Sequence, residues 1–168
     1  VAADGATVAG LRFAGDGTNL RYAVVANDAG VTVAKSTFDA QLYGSVVLGG
    51  SGASLLRSND VGSLIYGVAI RACTDSLIVQ DNAFTSSVIP MDVFLDAGRL
   101  LVRRNTFVGS QSLAIYLQLG TPRFEDNVFA PPAGQAADGS IRCLNDGCFP
   151  VVRRCTFRGP MGVRVQKG

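Results

Sequence analysis

Histidine is absent from this 168-residue chain, glutamate occurs once (Glu125) and lysine twice (Lys35 and Lys167). Amphipathic helices draw their exposed faces largely from Glu and Lys, so a helical fold has little material here. Val, Phe, Thr, Gly, Asn and Asp are plentiful instead, which points to an all-β chain with many turns. No apolar run approaches the roughly 18 to 20 residues a membrane span requires. The net charge of +2 is too small to announce a nucleic-acid partner or membrane insertion. With 48% hydrophobic and 17% charged residues, the composition argues against a disordered chain. The length suits one domain with a sizeable core. The chain opens at Val1, with neither a Met nor a signal peptide, and reads as a mature product or an excised piece.

What is present is a repeat. An apolar residue, Asn three later and Phe two after that recur as Val79, Asn82, Phe84, as Val102, Asn105, Phe107 and as Phe124, Asn127, Phe129. Looser copies are Val8, Leu11, Phe13; Val33, Ser36, Phe38; Leu56, Asn59, Val61; and Val152, Cys155, Phe157. Between them lies a second motif, a small or polar residue, Val or Ile, any residue, then usually Leu, Ile or Val. Its copies are Ser45–Leu48, Gly67–Ile70, Asp92–Leu95, Ala114–Leu117, Ser140–Cys143 and Gly162–Val165, with Ala23–Ala26 a weaker first instance. Period-two alternation is the mark of a strand with one buried face. Short strands recurring every 22 to 28 residues or so, with no helix between them, must lie coil upon coil. We therefore expect an all-β parallel β-helix, a solenoid of about seven coils over residues 1–168. Asn59, Asn82, Asn105 and Asn127 should turn corners in the left-handed region and ladder their amides, while Phe84, Phe107 and Phe129 stack in the core.

These residues, followed by a Gly-Val-x-Ile strand, resemble the repeat of right-handed parallel β-helix proteins, the pectin-lyase-like superfamily. The resemblance spans nearly the whole chain. It implies the fold, and a ligand groove on the outer face of the Val-x-Leu strand. Family members include polysaccharide lyases, glycoside hydrolases, epimerases, phage tailspikes and non-catalytic domains. Their catalytic signatures are missing: there is no Gly-His-Gly, no Asn-Thr-Asp and no Arg-x-Pro-x-x-Arg segment. We accordingly assign no catalytic residue, no metal and no cofactor.

On the implied groove the outward residues are Val25, Val47, Ala69, Phe94, Tyr116, Arg142 and Arg164. Phe94 and Tyr116 on adjacent coils suit the apolar face of a sugar ring or an extended peptide, or else lie under a loop or another copy of the chain. Arg71, Asp92, Asp96 and Gln118 flank them and complete the expected ligand-binding set. As an acid and base pair, Asp92 and Asp96 would lie roughly 13 Å apart on an extended strand, beyond the roughly 5 to 9.5 Å of glycosidase carboxylates. Arg71 and Asp96 fall in one column and are expected to form an ion pair. The dibasic pairs Arg103-Arg104 and Arg153-Arg154 are expected to meet Asp81, Glu125 and Asp126 on neighbouring coils, which disfavours a polyanion site.

Of four cysteines, Cys143 and Cys155 fall in core columns, and Cys73 is about three coils, or 14 Å, from the rest. At most one disulfide is expected, among Cys143, Cys148 and Cys155. A zinc site would lack a fourth ligand. The expected role is non-catalytic binding of a polysaccharide or other extended ligand, on or outside a bacterial cell. The alternatives are a fragment of a carbohydrate-active enzyme and a structural or protein-binding scaffold. No terminal cap is visible in the sequence, so further coils or end-to-end contact between copies is expected.

Overall fold

Segments of two to eight alternating residues cannot bury a core singly, and they do so here by stacking. The computed structural model describes residues 5–16, 18, 21–72, 74–96, 99–108, 114–130, 140–158 and 162–165. Among the described residues there is no helix. One repeat runs as three strands, Leu77–Gln80, Ala83–Ser86 and Ile89–Asp96. The series begins with Ala6–Ala9, Arg12–Phe13 and Tyr22–Asn27 and ends with Val151–Arg153, Thr156–Phe157 and Val163–Val165. Equivalent strands pair in parallel, giving three seven-stranded sheets, one for each side of the coil. The chain is a parallel β-solenoid, as its repeat implies.

The corner between the first two sheets differs from expectation in one respect. The left-handed residue is not Asn but the residue before it: Lys35, Ser58, Asp81, Arg104, Asp126 and Arg154 have φ between 50° and 57°. The Asn side chains are needed elsewhere. Asn59, Asn82, Asn105 and Asn127 are all buried, and each of the first three donates its backbone N–H to the Oδ1 of the next Asn at 2.9–3.0 Å. Their Nδ2 groups donate to the same oxygens and to carbonyls of the preceding coil, as from Asn105 to Val79 at 2.9 Å. Ser36 extends the ladder at one end and Cys155 at the other, where Asn127 Nδ2 lies 3.8 Å from the sulfur. An inward amide and an outward, strained neighbour thus divide the corner between them.

Inside, the second sheet stacks Phe84 on Phe107, Phe107 on Phe129 and Phe129 on Phe157, with ring centroids 4.5–4.9 Å apart and planes within 8°. Phe13 and Phe38 form a separate stack at 5.0 Å, and Val61 stands between the two groups in register with Phe38 and Phe84. Each aromatic pair adds about 0.5–1.5 kcal/mol beyond its buried area. Of the expected ion pairs, Arg104 meets Asp81 and Arg154 meets Asp126 through two hydrogen bonds each, at 2.6–2.9 Å. Arg103 does not meet Glu125. It donates to Gln80 Oε1 at 2.9 and 2.7 Å, while Glu125 takes Arg123 from its own strand. Cys143 and Cys148 are joined as a disulfide with Cα atoms 5.8 Å apart, and Cys155 is free. Cys73 lies outside the described residues.

Candidate functional site

The third sheet carries the expected groove face, and its register corrects one coil. Val25, Val47, Ala69, Asp92, Tyr116, Arg142 and Arg164 are successive partners across it. The aromatic assigned to that column, Phe94, belongs two residues further on. Met91 and Val93 take the two inward positions and are fully buried. Ile89–Asp96 is the longest strand, and its apolar residues at 89, 91, 93 and 95 outnumber the two inward places a coil offers. Alternation alone therefore permits a slip by two, which leaves every residue on its correct face.

Phe94 remains outward, 47% exposed. Val93 pairs with Ile70 on one side and with Leu117 on the other, so Phe94 follows in the row of Arg71 and Gln118. Asp92 and Tyr116 are direct partners in the adjacent column. Five of the six expected binding residues, Arg71, Asp92, Phe94, Tyr116 and Gln118, thus gather on two columns of three consecutive coils. Val47 and Ala69, expected to be exposed, face the same way but are buried.

Asp96 stands apart. It pairs across to Gly120, and its Oδ1 accepts the backbone N–H groups of Arg99 and Leu100 at 3.0 Å each, which ties the end of this strand to the start of Leu100–Arg103. The expected partner of Arg71 is consequently wrong: Arg71 Nη1 lies 3.6 Å from Asp92 Oδ2. The same two-residue slip explains both corrections.

Asp92 is the chemically distinctive member. The residue is 4% exposed, and among the described residues its Oδ1 has no hydrogen-bond partner. Burial pushes its carboxyl above the usual range, and the Arg71 guanidinium opposes this only in part. Beside it is an element that sequence reading missed. Tyr22, Tyr43 and Tyr66 form an edge-to-face row with centroids 5.9 and 6.2 Å apart. Burial, and next the Asp92 carboxylate, push the Tyr66 hydroxyl upward. The signal was available, since Tyr recurs at 22, 43 and 66, close to the coil period. Gly44 makes room for the row, because a Cβ there would strike the Tyr22 ring.

The site is therefore an open strip of aromatic side chains around one half-exposed Arg and one buried carboxylate, on a rigid parallel sheet. These features define a class, a β-solenoid with an aromatic and charged outer face. Comparison with protein-family models, with curated proteins and with solved structures returns no match for the chain.

Proposed function

We propose that the chain binds a polysaccharide, without cleaving it, along the outer face of the third sheet. The observation that supports this best is the clustering of Phe94 and Tyr116 with the Arg71–Asp92 pair, beside the tyrosine row. Aromatic faces stack on the C–H faces of sugar rings, and the half-exposed Arg71 guanidinium, held by the buried Asp92 carboxylate, offers donors to ring hydroxyls. A strip crossing several coils suits an extended ligand better than a compact one. The solenoid is proposed to be right-handed and of the pectin-lyase-like kind, on the strength of its apolar-x-x-Asn-x-Phe repeat. An extracellular or cell-surface location is supported by the Cys143–Cys148 disulfide, since such bonds persist in oxidising compartments.

A second reading, a carbohydrate-active enzyme, draws on Asp92, whose buried carboxyl holds its proton to higher pH. It needs a second carboxylate within reach, and Asp96, whose Oδ1 holds Arg99 and Leu100, lies four residues further along the same extended strand, about 13 Å away. A glycan array probed with the parent chain and with Phe94→Ala/Tyr116→Ala tests the proposal. Selective glycan signals that vanish in the variant support it. An array without signal rejects it, and reducing ends or unsaturated sugars released by the parent favour the enzyme.

A further inference from the structure

Stacked coils bring equivalent side chains about 5 Å apart, so like charges in register destabilise the sheet. At the corner column the chain respects this, with Asp81 under Arg104 and Asp126 under Arg154. The outer face of the first sheet is different. Over four of its coils the two outward columns run Leu55, Ile78, Leu101, Arg123 and, alongside, Arg57, Gln80, Arg103, Glu125. Arg103 has a neutral acceptor, Gln80. Glu125 is shared between Arg123 at 2.7 Å and Arg154 at 3.9 Å. Arg99 faces Asp75 at 3.5 Å, both largely in solvent, a pair of small worth. Arg57, Arg99, Arg103 and Arg123 therefore outnumber Asp75 and Glu125 around a half-buried apolar stripe, Leu55, Ile78 and Leu101. Ser76, Ile78, Arg99, Leu100, Leu101 and Arg123 enclose a shallow cavity of about 300 Å³ on this face.

We infer that this face docks an acidic amphipathic helix of a partner protein. The periodicity selects a helix. Along the stripe, apolar side chains recur at about 4.8 Å per coil, close to the 5.4 Å helical turn, whereas same-side residues of an extended chain recur at about 6.7 Å. Over three coils a helical ridge drifts by about 1 Å and an extended chain by about 4 Å. The positive rim selects carboxylates flanking that ridge, and the stripe selects apolar side chains over a hydroxyl-rich sugar. The surface is separate from the third sheet, so this inference stands or falls independently of polysaccharide binding.

The test uses the whole chain and a dye-labelled synthetic helix of about four turns, with Leu at i, i+4 and i+7 and Glu on either side. Fluorescence anisotropy should show saturable binding that weakens with added salt. Ile78→Ser/Leu101→Ser should weaken it at least about tenfold, the effect expected on losing a buried anchor, and Arg57→Gln/Arg103→Gln should weaken it while flattening the salt dependence. All four side chains point away from the core, so the variants should stay folded, as circular dichroism would show; if the apolar pair does not, the arginine pair, which loses the Arg103–Gln80 hydrogen bonds but no core contact, decides. No saturable binding, equal binding of a scrambled or Lys-for-Glu peptide, tighter binding to phosphatidylserine vesicles, or unchanged affinity in the folded variants would overturn the inference.

Discussion

Asn105 shows how much one side chain does at a corner. Its Nδ2 donates to Val79 O, Arg103 O and Asn127 Oδ1, and its Oδ1 accepts from the N–H and Nδ2 of Asn82. Asn105→Ala strands several buried groups and should cost about 1–3 kcal/mol. Phe107→Ala, deleting a ring stacked on both sides, should cost more, about 3–5 kcal/mol. Chemical denaturation of both variants checks the order, and a Phe107→Ala chain as stable as the parent would place that column in solvent. Asp92 is the converse case, a group that the fold holds at a disadvantage when charged. Because its folded pKa is raised, it lowers stability as pH rises from the usual carboxylate range through the raised value. Asp92→Asn should therefore melt above the parent at neutral pH, with the difference fading in acid, where the carboxyl is protonated in both states. Asp81 and Asp126 act oppositely. Their hydrogen bonds to Arg104 and Arg154 lower their pKa values, so what they contribute is present at neutral pH and fades as pH falls through the lowered values.

A coil needs each strand to meet its neighbours in one register, and backbone space enforces this at a few glycines. Gly120, at φ 118°, pairs across to Asp96, and a Cβ there would collide with the Asp96 carbonyl oxygen. Gly120→Ala should cost about 1–3 kcal/mol through left-handed strain alone, and more through the clash. Melting of this variant against Gly10→Ala checks it, since Gly10 has a similar φ sign with open space around it; equal losses would mean that the clash is relieved. The elements themselves were legible because Asn, Phe and alternating Val, Ile and Leu recur at the coil period. Register in Ile89–Asp96 was not, since surplus alternation leaves two equivalent choices that only the flanking coils resolve. Nor was the division of the corner, because Asp81 and Asn82 are both residues that tolerate the left-handed region, and only the inward amide ladder decides between them. The candidate site was legible as a set of neighbouring residues and not as a set of contacts, for the slip moved Phe94 beside Arg71 and handed Arg71 to Asp92.

At the scale of the whole molecule, a solenoid holds each coil through its neighbours, so added constraints act locally. The Cys143–Cys148 disulfide closes a loop of only a few residues, worth about 2 kcal/mol by chain entropy. Cys143→Ser/Cys148→Ser should lower the melting temperature without dismantling the stack, which circular dichroism would show as retained β signal; complete loss of structure would mean the bond nucleates the fold. The stack also fixes the length of the proposed binding strip. From Arg71 to Gln118 it crosses three coils at about 4.8 Å each, so a polysaccharide lying along it contacts more of the strip as it lengthens. We propose that Phe94 and Tyr116 hold this ligand on the third sheet. Isothermal titration with oligosaccharides of increasing length, chosen from the array, tests it most directly. Affinity should rise with length and then level off, and Phe94→Ala/Tyr116→Ala should bind at least about tenfold more weakly, the loss expected for two aromatic anchors, at an unchanged melting temperature. Equal affinity in parent and variant would contradict the account.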